Sequence, residues 1–163
     1  MSTTKANPAK AARAAAAHPP GLAPKRILVP TDFSSTSMAA LKYAVLYARQ
    51  FGASLDLLHV LEPPPFLSDL KDVPLAMTEQ EATKKATAEL ANLARREVDA
   101  AVPITPLVRG GKAYVEITEA ARERKADLIV IATHGYTGLK HTLLGSVAER
   151  VIRHAACPVL VVR

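Results

Sequence analysis

Beyond residue 25 the apolar positions follow two rhythms that take turns along the chain. Short, nearly unbroken apolar runs at Arg26–Pro30 (RILVP), Ser54–Leu61, Ile104–Val108, Asp127–Ala132 (DLIVIA) and Pro158–Val162 (PVLVV) predict five strands. Between them the spacing lengthens to three or four. Met38, Leu41, Val45 and Ala48 share one face of a helix over Ser35–Phe51, with Gly52 placed to end it. Ala86, Leu90, Leu93 and Val98 do the same over Thr78–Ala101, and further helices are expected at Ala113–Lys125 and Gly145–His154. Thr78-Glu79-Gln80-Glu81 and Ser146-Val147-Ala148-Glu149 both read as capping boxes at helix starts. Pro63-Pro64-Pro65 opens a loop to about Pro74, and Pro106 weakens the third strand. No internal repeat is visible. Strict alternation of strand and helix predicts a doubly wound parallel sheet with helices on both faces. The unbroken run at 127–132 suits a central strand, buried on both sides.

Residues 1–24 break this pattern. They are rich in Ala and Pro, and Pro19, Pro20 and Pro24 stop any helix begun in the run Ala9–Ala17. The expectation is a disordered arm at 1–24 and one folded domain at 25–163. The arm has no apolar stretch of the secretory kind, and a single Arg before residue 26 is little basis for a transit peptide.

Charge changes meaning once it is divided this way. The whole chain of 163 residues carries a net +6, but residues 1–26 hold Lys5, Lys10, Arg13, Lys25 and Arg26 and no acid, so the folded part is nearly neutral. It shows no basic run interleaved with aromatics, which argues against nucleic acid as a partner. No stretch of 18 apolar residues occurs, which argues against a membrane span. With no Trp and 4% aromatics the core must be aliphatic. Cys157 is the one cysteine, which fits a reducing, cytoplasmic setting; its apolar neighbours suggest a buried, inert thiol.

In a doubly wound sheet, ligands bind beyond the carboxyl ends of the strands where the strand order reverses. The candidates are the turns after the first and fourth strands. After the fourth come Thr133, His134, Gly135, Tyr136, Thr137 and Gly138, then Gly145 and Ser146 at the start of a helix. Glycines let backbone N–H groups approach an anion, and a helix N-terminus adds the positive end of a dipole. The alternative is that the glycines only make turns and Ser146 only caps. After the first strand comes Pro30-Thr31-Asp32-Phe33-Ser34, where an acid can accept hydrogen bonds from a ribose or a base, or where Asp32 or Ser34 simply caps the next helix.

Taken together the two turns are more specific. Ala132-Thr133-His134-Gly135, nine residues, then Gly145-Ser146 is similar to the nucleotide motif of the universal stress proteins, G-x2-G-x9-G-[S/T]. RILVPTDFS at Arg26–Ser34, LLHV at Leu57–Val60 and GSVAERVIRHAACPVLVV at Gly145–Val162 extend the resemblance over about residues 25–163. It departs at Ala132, where the ATP-binding pattern has Gly. The resemblance implies a sheet order 3-2-1-4-5, an adenine nucleotide alpha hydrolase-like architecture and an ATP site, with AMP or ADP as alternatives. Pro30, Thr31 and Asp32 would face the adenine and ribose, Val60 would pack on the adenine, and Ile131 and Ala132 would lie beside the nucleoside. Gly135–Gly138 would approach the phosphates, and Gly145, Ser146, Val147 and Ala148 would hold the far ones. Magnesium would bridge phosphates without a protein cage. The resemblance also implies a homodimer through Val159–Val162, which agrees with a short apolar strand at the end of the domain.

Other signals carry less. Gly110-Gly111-Lys112-Ala113 lacks the Gly and the Ser or Thr of a phosphate-binding P-loop, having Pro106 and Ala113 instead. His134 and His141 have no carboxylate or cysteine at ligand spacing, and His59 reads as a half-buried structural residue. No nucleophile, base or cation clamp beyond Lys140 stands out, so the expected role is binding rather than enzymatic turnover. The competing readings are a dimeric interaction module that has lost its nucleotide, favoured by Ala132, and a slow ATPase.

Overall fold

The computed structural model describes residues 23–62, 75–133 and 144–163, with the side chains of 75–79 excepted. Its elements are β1 (Arg26–Pro30), α1 (Ser35–Phe51), β2 (Ser54–Leu61), α2 (Leu75–Glu97), β3 (Ile104–Gly110), α3 (Ala113–Glu123), β4 (Leu128–Ala132), α4 (Ser146–His154) and β5 (Val159–Val162). The strands form one parallel sheet in the order β3-β2-β1-β4-β5. The expected arm at 1–24 lies almost wholly outside the described residues.

Period-2 alternation along each strand divides the core into two layers. Ile27, Val29, Leu55, Leu57, Val130 and Val162 face α1 and α2, meeting Leu41, Val45, Leu90 and Leu93. Leu28, Leu58, Ile129 and Ile131 face the other way, meeting Ile117 and Ala120 of α3 and Val151 of α4. Helices therefore cover both faces of the sheet. Pro106 is tolerated because β3 is an edge strand, paired only with β2.

Helix boundaries depart from the sequence pattern where local hydrogen bonds intervene. Gly52 closes α1 as expected, with φ 66° and its N–H on the Ala48 carbonyl. α2 starts at Leu75, so Thr78 lies inside the helix and does not begin a capping box at its end. α2 also stops at Glu97 rather than Ala101, because the Asp99 carboxylate takes the Ala101 N–H at 3.0 Å and the Asp99 carbonyl takes the Val102 N–H. α3 ends at Glu123, where Lys125 turns left-handed (φ 54°) and Ala126 donates to the Ala121 carbonyl. β3 continues two residues past Val108 because Leu61 of β2 still pairs with Gly110. Gly111 then makes the turn at φ 144°, where a Cβ would come within 2.7 Å of Glu116 Oε1.

The amino-terminal end of the sheet is riveted by charge. Asp56, 1% exposed in β2, receives two bonds from Arg124, Nε at 3.0 Å and Nη2 at 2.9 Å. The paired carboxylate raises the guanidinium pKa above its usual value. Arg26 lies 4.0 Å from the same carboxylate and donates to the Arg124 carbonyl. Asp127 accepts the backbone N–H groups of Lys25 and Arg26 at 2.8 and 2.9 Å. Cys157 is half-buried rather than buried; burial, then the nearby Asp127 charge, pushes its thiol pKa up and favours the unreactive neutral form.

Candidate functional site

The opposite, carboxyl-terminal end of the sheet has an opening in the backbone pairing between β1 and β4. β1 stays paired with β2 as far as Pro30↔Leu58, and β4 with β5 as far as Ala132↔Val162. Pairing between β1 and β4 stops at Leu28↔Ile129. Pro30 supplies a physical reason. Thr31 donates its N–H to the Leu58 carbonyl on the β2 side, so alternation turns the Pro30 nitrogen toward β4, where it has no hydrogen to give. Backbone pairing of the two central strands therefore ends at the point where the strand order reverses.

One wall of this opening is the turn Thr31–Ser34. Thr31 is 6% exposed, and its Oγ1 accepts from the Phe33 N–H at 3.1 Å. Asp32 is half-buried, and its Oδ1 accepts from Ser34 N at 3.1 Å and Ser34 Oγ at 2.5 Å. Of the two cap candidates it is Ser34 that caps α1, accepting from Ser37 N. Phe33 sits at φ 62°, a left-handed conformation that costs an aromatic residue about 1–2 kcal/mol. His59 clasps the turn from β2. Its Nδ1–H donates to the Thr31 carbonyl at 2.8 Å, which fixes the tautomer, and its ring lies 4.6 Å from that of Phe33. His59 is thus half-buried and structural, as its position on a strand suggested. Val60 follows it, half-buried and two residues past the level of Pro30.

The other wall is built by β4, β5 and α4. Ile131 and Ala132 are 5% and 8% exposed, with side chains in opposite core layers. Thr133 donates its N–H to Val162 and receives the Gly145 N–H at 2.7 Å. That last bond pins the start of α4 against the end of β4. His134, Gly135, Tyr136, Thr137 and Gly138 lie outside the described residues, as do Lys140 and His141.

Gly145, not Ser146, is the N-cap of α4 (φ −71°, ψ 152°), and Ser146 is its exposed first residue. The capping box expected at Ser146–Glu149 does not form: the Glu149 N–H bonds to the Gly145 carbonyl, and the Glu149 carboxylate pairs with Arg153 at 2.8 Å. The N–H groups of Ser146, Val147 and Ala148 precede the first helical bond and carry the positive end of the helix dipole. The start of α3 is different, because the Glu62 carboxylate already takes the Ala113 N–H at 2.6 Å. That contact, invisible as a motif, places a carboxylate on the first N–H of α3. Among the described residues no three His, Cys, Asp or Glu side chains gather as a metal site, and no helix is long and apolar enough to cross a membrane.

Comparison with known proteins gives the family and the fold. The profile of the universal stress protein family matches residues 24–163. A universal stress protein of Methanocaldococcus jannaschii is 37% identical over 139 residues, covering 85% of this chain and 82% of the relative. A second from the same organism, whose structure is solved, superposes with a TM-score of 0.75 at 33% identity, covering 85% and 94% of the two chains. A universal stress protein in complex with cAMP gives a TM-score of 0.60 at 27% identity over 86% and 98%. One from Archaeoglobus fulgidus in complex with dAMP gives 0.55 at 25% identity over 85% and 97%.

Proposed function

The chain belongs to the universal stress protein family, and on that premise we propose that it is a regulatory protein of the stress response that binds ATP between β1 and β4. The observation that carries this reading is the end of β1–β4 pairing after Leu28↔Ile129, with Asp32 on one side and the pinned start of α4 on the other. The structures of relatives with cAMP and dAMP support an adenine nucleotide in general. ATP in particular follows from the glycine- and hydroxyl-rich sequence between Thr133 and Ser146, which suits a chain of phosphates. In this reading Pro30, Thr31, Asp32 and Val60 meet the nucleoside. The backbone of Ile131, Ala132 and Thr133 lines its other side, since two of those side chains are committed to the core. The N–H groups of Ser146, Val147 and Ala148 meet phosphate, and magnesium arrives on the phosphates themselves. The role is binding in the cytoplasm without turnover. Calorimetry with ATP, ADP and AMP, together with native mass spectrometry of the protein as purified, tests it: a protein that carries and takes up no adenine nucleotide refutes it, and steady phosphate release refutes the non-enzymatic part.

Ala132 bears on the rival reading, an interaction module without nucleotide. Its methyl belongs to the core layer shared with α1, so the departure from Gly fills the interior. Ala132→Gly is expected to leave ATP affinity within about twofold and to cost about 1 kcal/mol of stability, read by calorimetry and denaturant unfolding. A large gain in affinity on removing the methyl would support the rival.

The same proposal includes a homodimer through β5. β5 is a sheet edge, and Val159, Leu160 and Val161 are half-buried in the single chain. Pro158 and Val162 turn their carbonyls to β4, so alternation points the N–H and C=O of Val161 outward, where a second copy can pair. Val161→Pro removes that outward donor without breaking a β4–β5 bond. The expected result is a monomer by light scattering; an intact dimer refutes this interface.

A further inference from the structure

We propose that Ser34 is a positioning residue for nucleotide recognition, its hydroxyl locking the Asp32 carboxylate in the orientation the crevice uses; this rests on the adenine-nucleotide reading above. A hydroxyl has one proton to give. Ser34 Oγ stands near Asp32 Oδ1 (2.5 Å), Thr36 Oγ1 (2.9 Å) and Ser37 Oγ (3.3 Å), and only the carboxylate has no proton of its own. The Ser34 proton therefore goes to Asp32, and Ser34 Oγ accepts from Ser37 N at 3.2 Å and from the Thr36 hydroxyl. Ser37 in turn donates to the Ser34 carbonyl at 3.0 Å and lies 3.1 Å from Thr31 Oγ1.

Ser34, Ser37 and Thr31 are 9%, 4% and 6% exposed, so the hydroxyl network behind the half-buried Asp32 is fixed by protein partners. The tether crosses Phe33, whose left-handed backbone is held by Thr31 Oγ1 and the His59 ring, and it adds to the Ser34 N–H bond a second one that fixes the carboxylate. A side chain held in advance loses less freedom when it binds, which is where affinity is gained. Ser34 thus does two jobs, capping α1 and aiming Asp32, and substitutions can separate them.

Glycine is nearly as good an N-cap as serine but has no hydroxyl to give, whereas threonine keeps one. ATP binding by calorimetry and thermal melting are compared for the unsubstituted protein, Ser34→Gly, Ser34→Thr, Asp32→Ala and the Asp32→Ala, Ser34→Gly double variant. Ser34→Gly is expected to bind about tenfold more weakly with a melting temperature within about 3 °C, and Ser34→Thr within about threefold of the unsubstituted affinity. Because Ser34 acts through Asp32, the double variant binds no more weakly than Asp32→Ala alone. A glycine variant with undiminished affinity, a threonine variant as weak as the glycine one, or additive losses in the double variant overturns the role. An unsubstituted protein without affinity for any adenine nucleotide overturns the nucleotide reading itself, and the role of Ser34 with it.

Discussion

Arg124→Ala is expected to lower the stability of the domain by about 3 kcal/mol and its melting temperature by about 10 °C. Asp56 lies in β2, next to the central strand, nearly out of contact with water, and takes two bonds from this one guanidinium. Truncating Arg124 leaves a buried carboxylate with only Arg26 at 4.0 Å to offset it. Removing one member of a buried pair costs more than the pair itself contributes, because the survivor stays desolvated. The effect falls at the low end of that class because the Arg124 side chain is 36% exposed. The double variant Asp56→Leu, Arg124→Leu leaves no charge stranded beneath α3 and should recover to within about 1 kcal/mol of the parent. Urea unfolding of the three proteins measures this. A loss below about 1 kcal/mol in Arg124→Ala would mean that water or Arg26 already satisfies Asp56. ATP affinity should survive in all folded variants, since this rivet sits at the end of the sheet remote from the crevice.

The second large effect concerns binding. Asp32→Ala is expected to weaken ATP binding about 100-fold, the loss of two hydrogen bonds to a charged acceptor. The melting temperature should move little in comparison, because Ser34 still accepts from Ser37 and caps α1 without Asp32. Calorimetry on the two proteins at equal salt reads the difference. A loss confined to a few-fold would remove Asp32 from the site and leave the α4 end as the main determinant. The two substitutions thus divide the sheet by function: Arg124 holds its amino-terminal end, and Asp32 serves its carboxyl-terminal end.

The repeating architecture is written along the chain. Short unbroken apolar runs such as Ile27–Val29 and helical stripes such as Leu41–Val45–Ala48 are legible without a partner in view. The same holds for Gly52, whose left-handed cap is a property of one residue. The reversal of strand order between β1 and β4, which picks out the two candidate turns, was legible as well. Which of several local options is used depends on contacts made across the fold. Ser146 and Thr78 each looked like a cap, yet Gly145 and an earlier helix start displaced them. Asp32 and Ser34 were equal candidates until their mutual hydrogen bond gave each its own part. Glu62 on the start of α3, Arg124 on Asp56 and Gly145 on Thr133 join residues 51, 68 and 12 positions apart. The energy of such contacts lies in desolvation and charge shared across the fold, and a pattern read along one chain holds no record of either.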